Sequence, residues 1–455
     1  MSTSQAQVEL KIAYIGGGSR GWAHTLMIDL ALCPDLRGQV LLYDIDLPSA
    51  RLNERLGNWL QDQPGVQSRW TYRAVERLDE ALAGADFVFI SIQPGPLEMM
   101  GHEIGVAEKY GLFFPVGDTT GAPGLMRGLR SAIIYAGFAH AIAKACPRAW
   151  VINYSNPMTI CTRTLTRVEP GLKVFGCCHE VFSTQEILAE VAQEHLGLPE
   201  RPARDDIRVN VLGINHFTWI DQATFQGHDL LALLREHIQE PGVLRPYTRQ
   251  VVEAQHNYFF DARQIKFELF RRYGLLAAAG DRHLAEFVQG FTRSPEDLFR
   301  WGVIRTPITY RLERWQKSAG LAQQIMQGER EWKLQPSGEE AIRQIKALCG
   351  LGDFVTNMNC ENRGQISNLP AHAVLETNAY LSRGSVRPLT AGALPAGVRE
   401  LVARHVANQE LLIDAALQRD KDLAFQAVFG DPTTNLPIDR AWAMFEEIGL
   451  PQGWW

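Results

Sequence analysis

With 455 residues the chain is too long for one small core, and two or three domains are expected. Its 46% hydrophobic and 21% charged content is that of an ordinary soluble globular protein, and no apolar run is long enough to span a membrane. A formal net charge of −6 without a basic block removes nucleic acid and anionic membranes from the expected partners and leaves small molecules.

The opening residues, Met1 to Gln7, lack the basic and apolar regions of a secretory signal, so a cytoplasmic protein is expected. Seven cysteines (Cys33, Cys146, Cys161, Cys177, Cys178, Cys349 and Cys360) are scattered without zinc-ribbon spacing, which in a reducing compartment argues for buried thiols rather than a disulfide framework. A buried strand is expected at residues 10–15 and an apolar helix at 22–32. Between them stand Gly16, Gly18 and Gly21, with Ser19 in the same turn. This is the spacing a dinucleotide pyrophosphate requires. The first glycine permits the tight turn, the second lets the backbone approach the phosphates, and the third lets the helix pack closely on the sheet. The anion then rests on unpaired helix N–H groups. A second strand at 40–43 ends at Asp44, whose carboxylate would accept from the adenosine ribose and repel a 2′-phosphate, so NAD is expected rather than NADP.

Further strands are expected at 86–92, ending at Gln93 on the cofactor side, and at 149–154 and 173–176. The alternation predicts an α/β fold with a Rossmann-type doubly wound parallel sheet, whose ligands bind beyond the carboxyl ends of the strands. Asn153, Asn156 and Cys177-Cys178-His179-Glu180 fall on that edge, and Ser183-Thr184-Gln185-Glu186 reads as a capping box opening the next helix. Gly and Pro at 197–202 mark a boundary between an NAD-binding domain, residues 1–200, and a mixed, mainly helical α+β domain for substrate and metal, residues 201–455. There a half-exposed strand at 207–213 delivers Asn215 and His216.

Cys178-His179 and Asn215-His216 are thus both carried toward the nicotinamide. Cysteine and histidine ligate metals, but their separation matches no local metal motif, and on spacing alone a buried cysteine and a core histidine is the commoner outcome.

The glycine fingerprint, Asn153-Tyr154-Ser155-Asn156-Pro157, Cys177-Cys178-His179-Glu180-Val181, Gly213-Ile214-Asn215-His216, Gly280-Asp281-Arg282-His283 and Asn362-Arg363-Gly364-Gln365-Ile366-Ser367-Asn368-Leu369-Pro370 occur in the order seen in glycoside hydrolase family 4, which the chain resembles over nearly its whole length. The resemblance implies a glycosidase that uses NAD and manganese, with Cys178 and His216 on the metal and Asn156 on the sugar. The tetrad Cys178-His179-Glu180-Val181 is similar to that of the α-galacturonidase branch. α-Glucosidases and α-galactosidases tend to carry a small residue in place of Glu180, and 6-phospho-glycosidases an acidic one in place of His179. An α-galacturonide is the expected substrate and a neutral α-glucoside or α-galactoside the second choice. The implied chemistry moves hydride from C3 of the sugar to NAD, removes the acidified C2 proton, expels the aglycone from C1, adds water and returns the hydride, while the metal polarises the C2 and C3 oxygens. A homo-oligomer is expected. A plain NAD-dependent sugar dehydrogenase, or a non-enzymatic NAD sensor, would share the glycines but needs no Cys178–His216 pair.

Tyr273 follows His216 at about the family's interval for a catalytic tyrosine, and Arg272 or Arg282 would lower its pKa; a packed aromatic at a helix end is the other reading. Asp281 is the alternative base or a helix cap. His179 would assist the leaving oxygen or orient the metal site, and Asn215 and Arg282 would contact substrate. In the loop at 116–124 and just beyond it, Arg127 or Arg130 would clamp a uronate, or remain solvated surface arginines. Glu180 has no evident role beside an acidic sugar.

Overall fold

The computed structural model describes residues 7–451 and 454. Six strands, β1 (Val8–Ile15), β2 (Leu36–Tyr43), β3 (Trp70–Val75), β4 (Phe87–Ile90), β5 (Trp150–Asn153) and β6 (Lys173–Gly176), form a parallel sheet in the order β6-β5-β4-β1-β2-β3. Residues of β4 are buried throughout, as a strand covered on both faces requires. This is the doubly wound dinucleotide-binding arrangement, with the Gly16–Gly21 turn at the carboxyl end of β1.

The sheet does not stop at β6. Strands β7 (Arg208–Ile214), β8 (Phe217–Phe225), β9 (His228–Asp229), β10 (Leu276–Ala277), β11 (Phe354–Glu361), β12 (Val374–Ser382) and β13 (Ser385–Pro388) extend it. Pairing of Asn359 with Gly176 sets β11 antiparallel to β6, and the order continues β11-β12-β7-β8-β10, with β13 on β12 and β9 on β8. The strands after residue 350 are hard to anticipate because their buried positions include Asn357, Asn359, Glu376 and Thr377, which break the apolar pattern. The remainder is mainly helical.

Apolar clusters draw on both sides of residue 200. Leu125, Leu129 and Ile160 pack with Leu412, Val428 and Phe445, and Ile12, Leu42 and Phe89 share a core with Ile345, Met358 and Leu381. The expected capping box is corrected: the helix runs Glu180–Leu196 with His179 at its N-cap, so Ser183 and Thr184 lie inside it. Their hydroxyls donate to the carbonyls of Glu180 and Ala278. Gly197, in the left-handed region at φ +63°, ends the helix. Among the described residues no helix is long and apolar enough to cross a membrane.

Candidate active site

At the β1 edge the glycines have distinct jobs. A Cβ on Gly16 would lie 2.0 Å from the Ser91 carbonyl oxygen, and one on Gly18 3.0 Å from the Asp44 carboxylate. The close approach to the sheet expected of Gly21 belongs to Gly17, whose Cβ would meet Leu42 at 2.7 Å; among the described residues a Cβ on Gly21 would meet no neighbouring element within 4 Å. Asp44, at the end of β2, accepts the Gly18 N–H at 2.8 Å and the Asp46 N–H at 2.9 Å. Asn53 donates to the carbonyls of Gly17 (2.8 Å) and Ser19 (2.9 Å). Beside Asp44, Ile45 is 94% exposed, an apolar shelf next to the residue expected to hold the ribose.

The β7–β8 hairpin, closed by the pair Ile214–Phe217, makes Asn215 and His216 its two turn residues, and His216 takes φ +62°. Both side chains are buried at the hairpin tip. The Thr119 hydroxyl lies 3.1 Å from His216 Nδ1, which leaves Nε2 for a ligand. His283 stacks on His216 at 3.8 Å between ring centres, and Asp118, His216 and His283 offer ligand atoms within 4.8 Å of one another. On the other side the Cys178 thiol meets the side chain of Asn215, whose Nδ2 donates to Glu376 at 3.2 Å. Tethers from distant sequence hold this loop: Asp431 accepts from the Thr120 hydroxyl at 2.9 Å and the Gly121 N–H at 3.2 Å.

The electrostatics suit a cation. Burial, together with Glu376 and Glu180, pushes the Cys178 thiol well above its ordinary range, so a nearby positive charge is needed to make it a thiolate. Burial and the neighbouring His283 press His216 down to about 3, and burial also lowers His283, which leaves both imidazoles neutral near pH 7. Burial alone would raise Asp118 and Glu180. The imidazoles, with Arg127 and Arg311 for Asp118 and the Gly280 N–H for Glu180, outweigh it; Asp118 falls below the carboxylate range and Glu180 to about 2.

Buried polar atoms without a partner collect here: Asn156 Oδ1, Asn215 Oδ1, His283 Nδ1, Glu286 Oε2, and guanidinium nitrogens of Arg127, Arg282 and Arg311. Such atoms cost about 1–3 kcal/mol each when left unmade, so their concentration marks a place shaped for a polar ligand. Arg127 spans the two edges of the site, donating to the Asn156 carbonyl at 3.0 Å and to Gln93 at 3.1 Å. Arg282 is held by the Thr306 hydroxyl, and Arg311 by the Val116 carbonyl at 3.0 Å. Arg130 does not join them: the buried Glu103 takes its guanidinium at 2.6 Å and the Pro94 carbonyl takes Nε, so the expected clamp narrows to Arg127.

Three expected catalytic residues have packing or capping partners. Tyr273 ends the helix Gln264–Tyr273 with its ring against Trp219 and beside Gly397, half-buried against the apolar cluster of Ile265 and Leu269, as the packed-aromatic reading expects. Asp281 is 1% exposed and spends both carboxylate oxygens on the N–H groups of Ile265 (3.1 Å) and Lys266 (2.8 Å), capping that helix. Burial beside Asp261 pushes it up to about 8. His179 turns toward Trp22, 5.9 Å between ring centres, and pairs with Glu339 at 3.2 Å, which raises its pKa; its ring is engaged outside the Cys178–His216 pair. Asp118, His283, Arg311 and Glu376 join the site without having been singled out in the sequence. Asp118 lay within the loop at 116–124, and His283 within a quoted motif; Arg311, on the half-exposed helix Ile308–Ser318, gave no sequence signal.

A doubly wound sheet whose strand ends face a half-buried thiol and carboxylate beside a buried imidazole defines an α/β enzyme. The model for the family 4 glycosyl hydrolases matches residues 11–194, and that for the family 4 glycosyl hydrolase C-terminal domain matches residues 211–434. The chain belongs to the family 4 glycosyl hydrolases. It is 45% identical over 442 residues to an alpha-galacturonidase of Thermoanaerobacter italicus, covering 96% of this chain and 95% of that one. The crystal structure of lplD from Bacillus subtilis superposes with a TM-score of 0.89 at 45% identity, over 97% of this chain and 100% of the other. A 6-phospho-alpha-glucosidase from gut microorganisms, solved in complex with NAD and Mn2+, shares the fold at TM-score 0.79 and 19% identity, over 98% of this chain and 99% of that.

Proposed function

We propose that this glycosidase hydrolyses α-galacturonides with NAD and a divalent metal, Mn2+, as a cytoplasmic homo-oligomer. The observation that carries the substrate class is the set of unpaired guanidinium N–H groups on Arg127, Arg282 and Arg311 beside the His216 cluster. A uronate carboxylate would pair with them, whereas a neutral hexose would leave those N–H groups without a charged acceptor beyond Asp118. The near full-length identity to an alpha-galacturonidase supports the same reading.

When bound, NAD supplies a hydride acceptor and the metal a Lewis acid for the sugar oxygens. Gly16, Gly18, Ser19, Gly21, Asp44 and Gln93 would hold the dinucleotide; Cys178 and His216 would hold the metal. The fit rests on the raised thiol and the free Nε2 of His216. Asn156 and Asn215 accept sugar hydroxyls through their unpaired Oδ1 atoms. With Glu180 ionised 4.0 Å from His283 Nε2, the unpaired Nδ1 of neutral His283 is the open acceptor for the C2 proton.

Release of nitrophenol from 4-nitrophenyl α-galacturonide, in the presence of NAD, Mn2+ and a thiol reductant, tests this. The expected kcat/KM exceeds that on the matching galactoside. Arg311→Gln should lower it by about 10–100-fold, as loss of a hydrogen bond to a charged group predicts, with little change on the galactoside. Equal kcat/KM on both sugars for the wild type would replace this reading by that of a neutral α-glycosidase.

A further inference from the structure

We infer that the chain carries a second metal site, for a borderline divalent cation of the zinc type, where the helices Glu180–Leu196 and Leu230–His237 end side by side. His195 and Glu194 lie in the last turn of the first helix. His237 is the last residue of the second, and Glu240 follows in the turn whose N–H donates to the His237 carbonyl. His195 Nε2 and His237 Nδ1 face each other at 3.4 Å, with rings 80° apart. Glu240 straddles the pair, with Oε1 3.4 Å from His195 Nε2 and Oε2 3.7 Å from His237 Nδ1, and Glu194 Oε2 lies 3.7 Å from His237 Nδ1.

The separations fit a shared ion. At 3.4 Å the two ring nitrogens are at the long end of a hydrogen bond, whose usual length is about 2.9–3.0 Å. Two nitrogens held about 2.0–2.1 Å from one tetrahedral ion stand about 3.3–3.4 Å apart. The histidine side chains are 13% and 17% exposed, sheltered enough to keep their orientation, while the carboxylates open to solvent. Among the described residues neither Glu194 nor Glu240 forms an ion pair with a lysine or arginine; the two histidines are their only partners within 4 Å. Both helices also direct their carboxyl ends, and so the negative ends of their dipoles, at the same place. Imidazole and carboxylate without thiolate select zinc, cobalt, nickel or copper over manganese.

The site sits at the opposite end of the helix that begins beside Cys178. It would staple two helices together and touch no residue of the active site.

Chelator-stripped full-length protein, dialysed against Zn2+ and assayed for bound metal, tests the inference. Wild type should hold one ion more per chain than His195→Gln, His237→Gln or Glu240→Gln. Cys178→Ser should keep the ion that these variants lose. Co2+ added to Cys178→Ser should give the visible absorption of a tetrahedral nitrogen–oxygen site, absent when His237→Gln is added. With Mn2+ supplied, His237→Gln should retain wild-type hydrolysis. Equal zinc content in wild type and all three variants, or unchanged Co2+ absorption in the double variant, would overturn the site.

Discussion

At the β1–β2 edge the groups that shape the glycine turn are paired within the protein: Asp44 holds Gly18 and Asp46, and Asn53 holds Gly17 and Ser19. Around His216 the reverse holds, with buried atoms of Asn156, Asn215, Arg282, His283 and Arg311 lacking partners. The first edge is a finished backbone turn, with the N–H groups of Gly16, Gly17, Gly18 and Ser19 already bonded within the protein; the second is a set of side chains completed only by what they bind. Deleting one side chain should therefore be graded at the first edge and severe at the second.

The sharpest separation is expected at Cys178 and His216. Cys178→Ser and His216→Ala should each bring hydrolysis below detection while NAD binding by calorimetry and the circular dichroism spectrum stay near wild type. Chelation of the wild type should do the same, reversed by Mn2+. Full turnover in chelated protein would dissolve the contrast between the two edges.

Next in size is proton transfer. Turnover in D2O should place deuterium at C2 of the released sugar, a bond that a paired-carboxylate glycosidase never breaks. His283→Gln should slow that exchange by about 10²–10⁴-fold, the usual contribution of a proton-transfer group. Tyr273→Phe should leave it intact, because the ring packs on Trp219. Loss of exchange in Tyr273→Phe alone would restore the tyrosine.

At the finished edge the effect should be smaller. Asp44→Ala removes one carboxylate from a turn still tied by Asn53, so NAD affinity should fall by about 1–3 kcal/mol while kcat at saturating NAD is kept. An unchanged dissociation constant would remove Asp44 from the ribose.

The same contrast governs what could be read from the sequence. The parallel strands and the glycine turn are local patterns, contiguous apolar runs followed by a fixed spacing, and they stand where expected. So do Asn215 and His216, which a strand delivers to its own end. His283, Asp118 and Arg311 come from three separate segments that only the folded chain brings to His216, so no window of sequence contains their relation. Tyr273 carried a second signal beside its interval from His216. Ile265, Leu269 and Tyr273 recur at four-residue steps along one helix face, the stripe that packs on the core. An interval counted along the chain ignores which way a helix turns its side chains.

The smallest expected effect concerns Glu376, a side chain of the unfinished edge that does have partners. It is 1% exposed and accepts from Asn215 at 3.2 Å and Asn357 at 2.6 Å, yet burial still pushes its carboxyl from 4.5 up to about 7. The folded chain therefore keeps this proton where the unfolded chain has lost it. Glu376 adds no instability below pH 4.5, an increasing amount as pH rises from 4.5 to about 7, and a constant amount above. His216, lowered from 6.5 to about 3, acts in the other sense, costing stability as pH falls through that window. The wild-type slope mixes the two, so the difference between wild type and Glu376→Gln is what isolates the carboxyl. In chelator-treated protein the variant's thermal midpoint should gain on the wild type from pH 5 to pH 7 and run parallel to it above. A divalent cation beside Cys178 favours both the thiolate and the ionised carboxylate, so Mn2+ should raise the wild-type midpoint more at pH 8 than at pH 5, and Glu376→Gln should narrow that difference to the part the thiol contributes. Parallel midpoints across the whole range, with and without Mn2+, would mean that Glu376 is already ionised without metal and that the second edge is less dependent on its ligand than its orphaned atoms indicate.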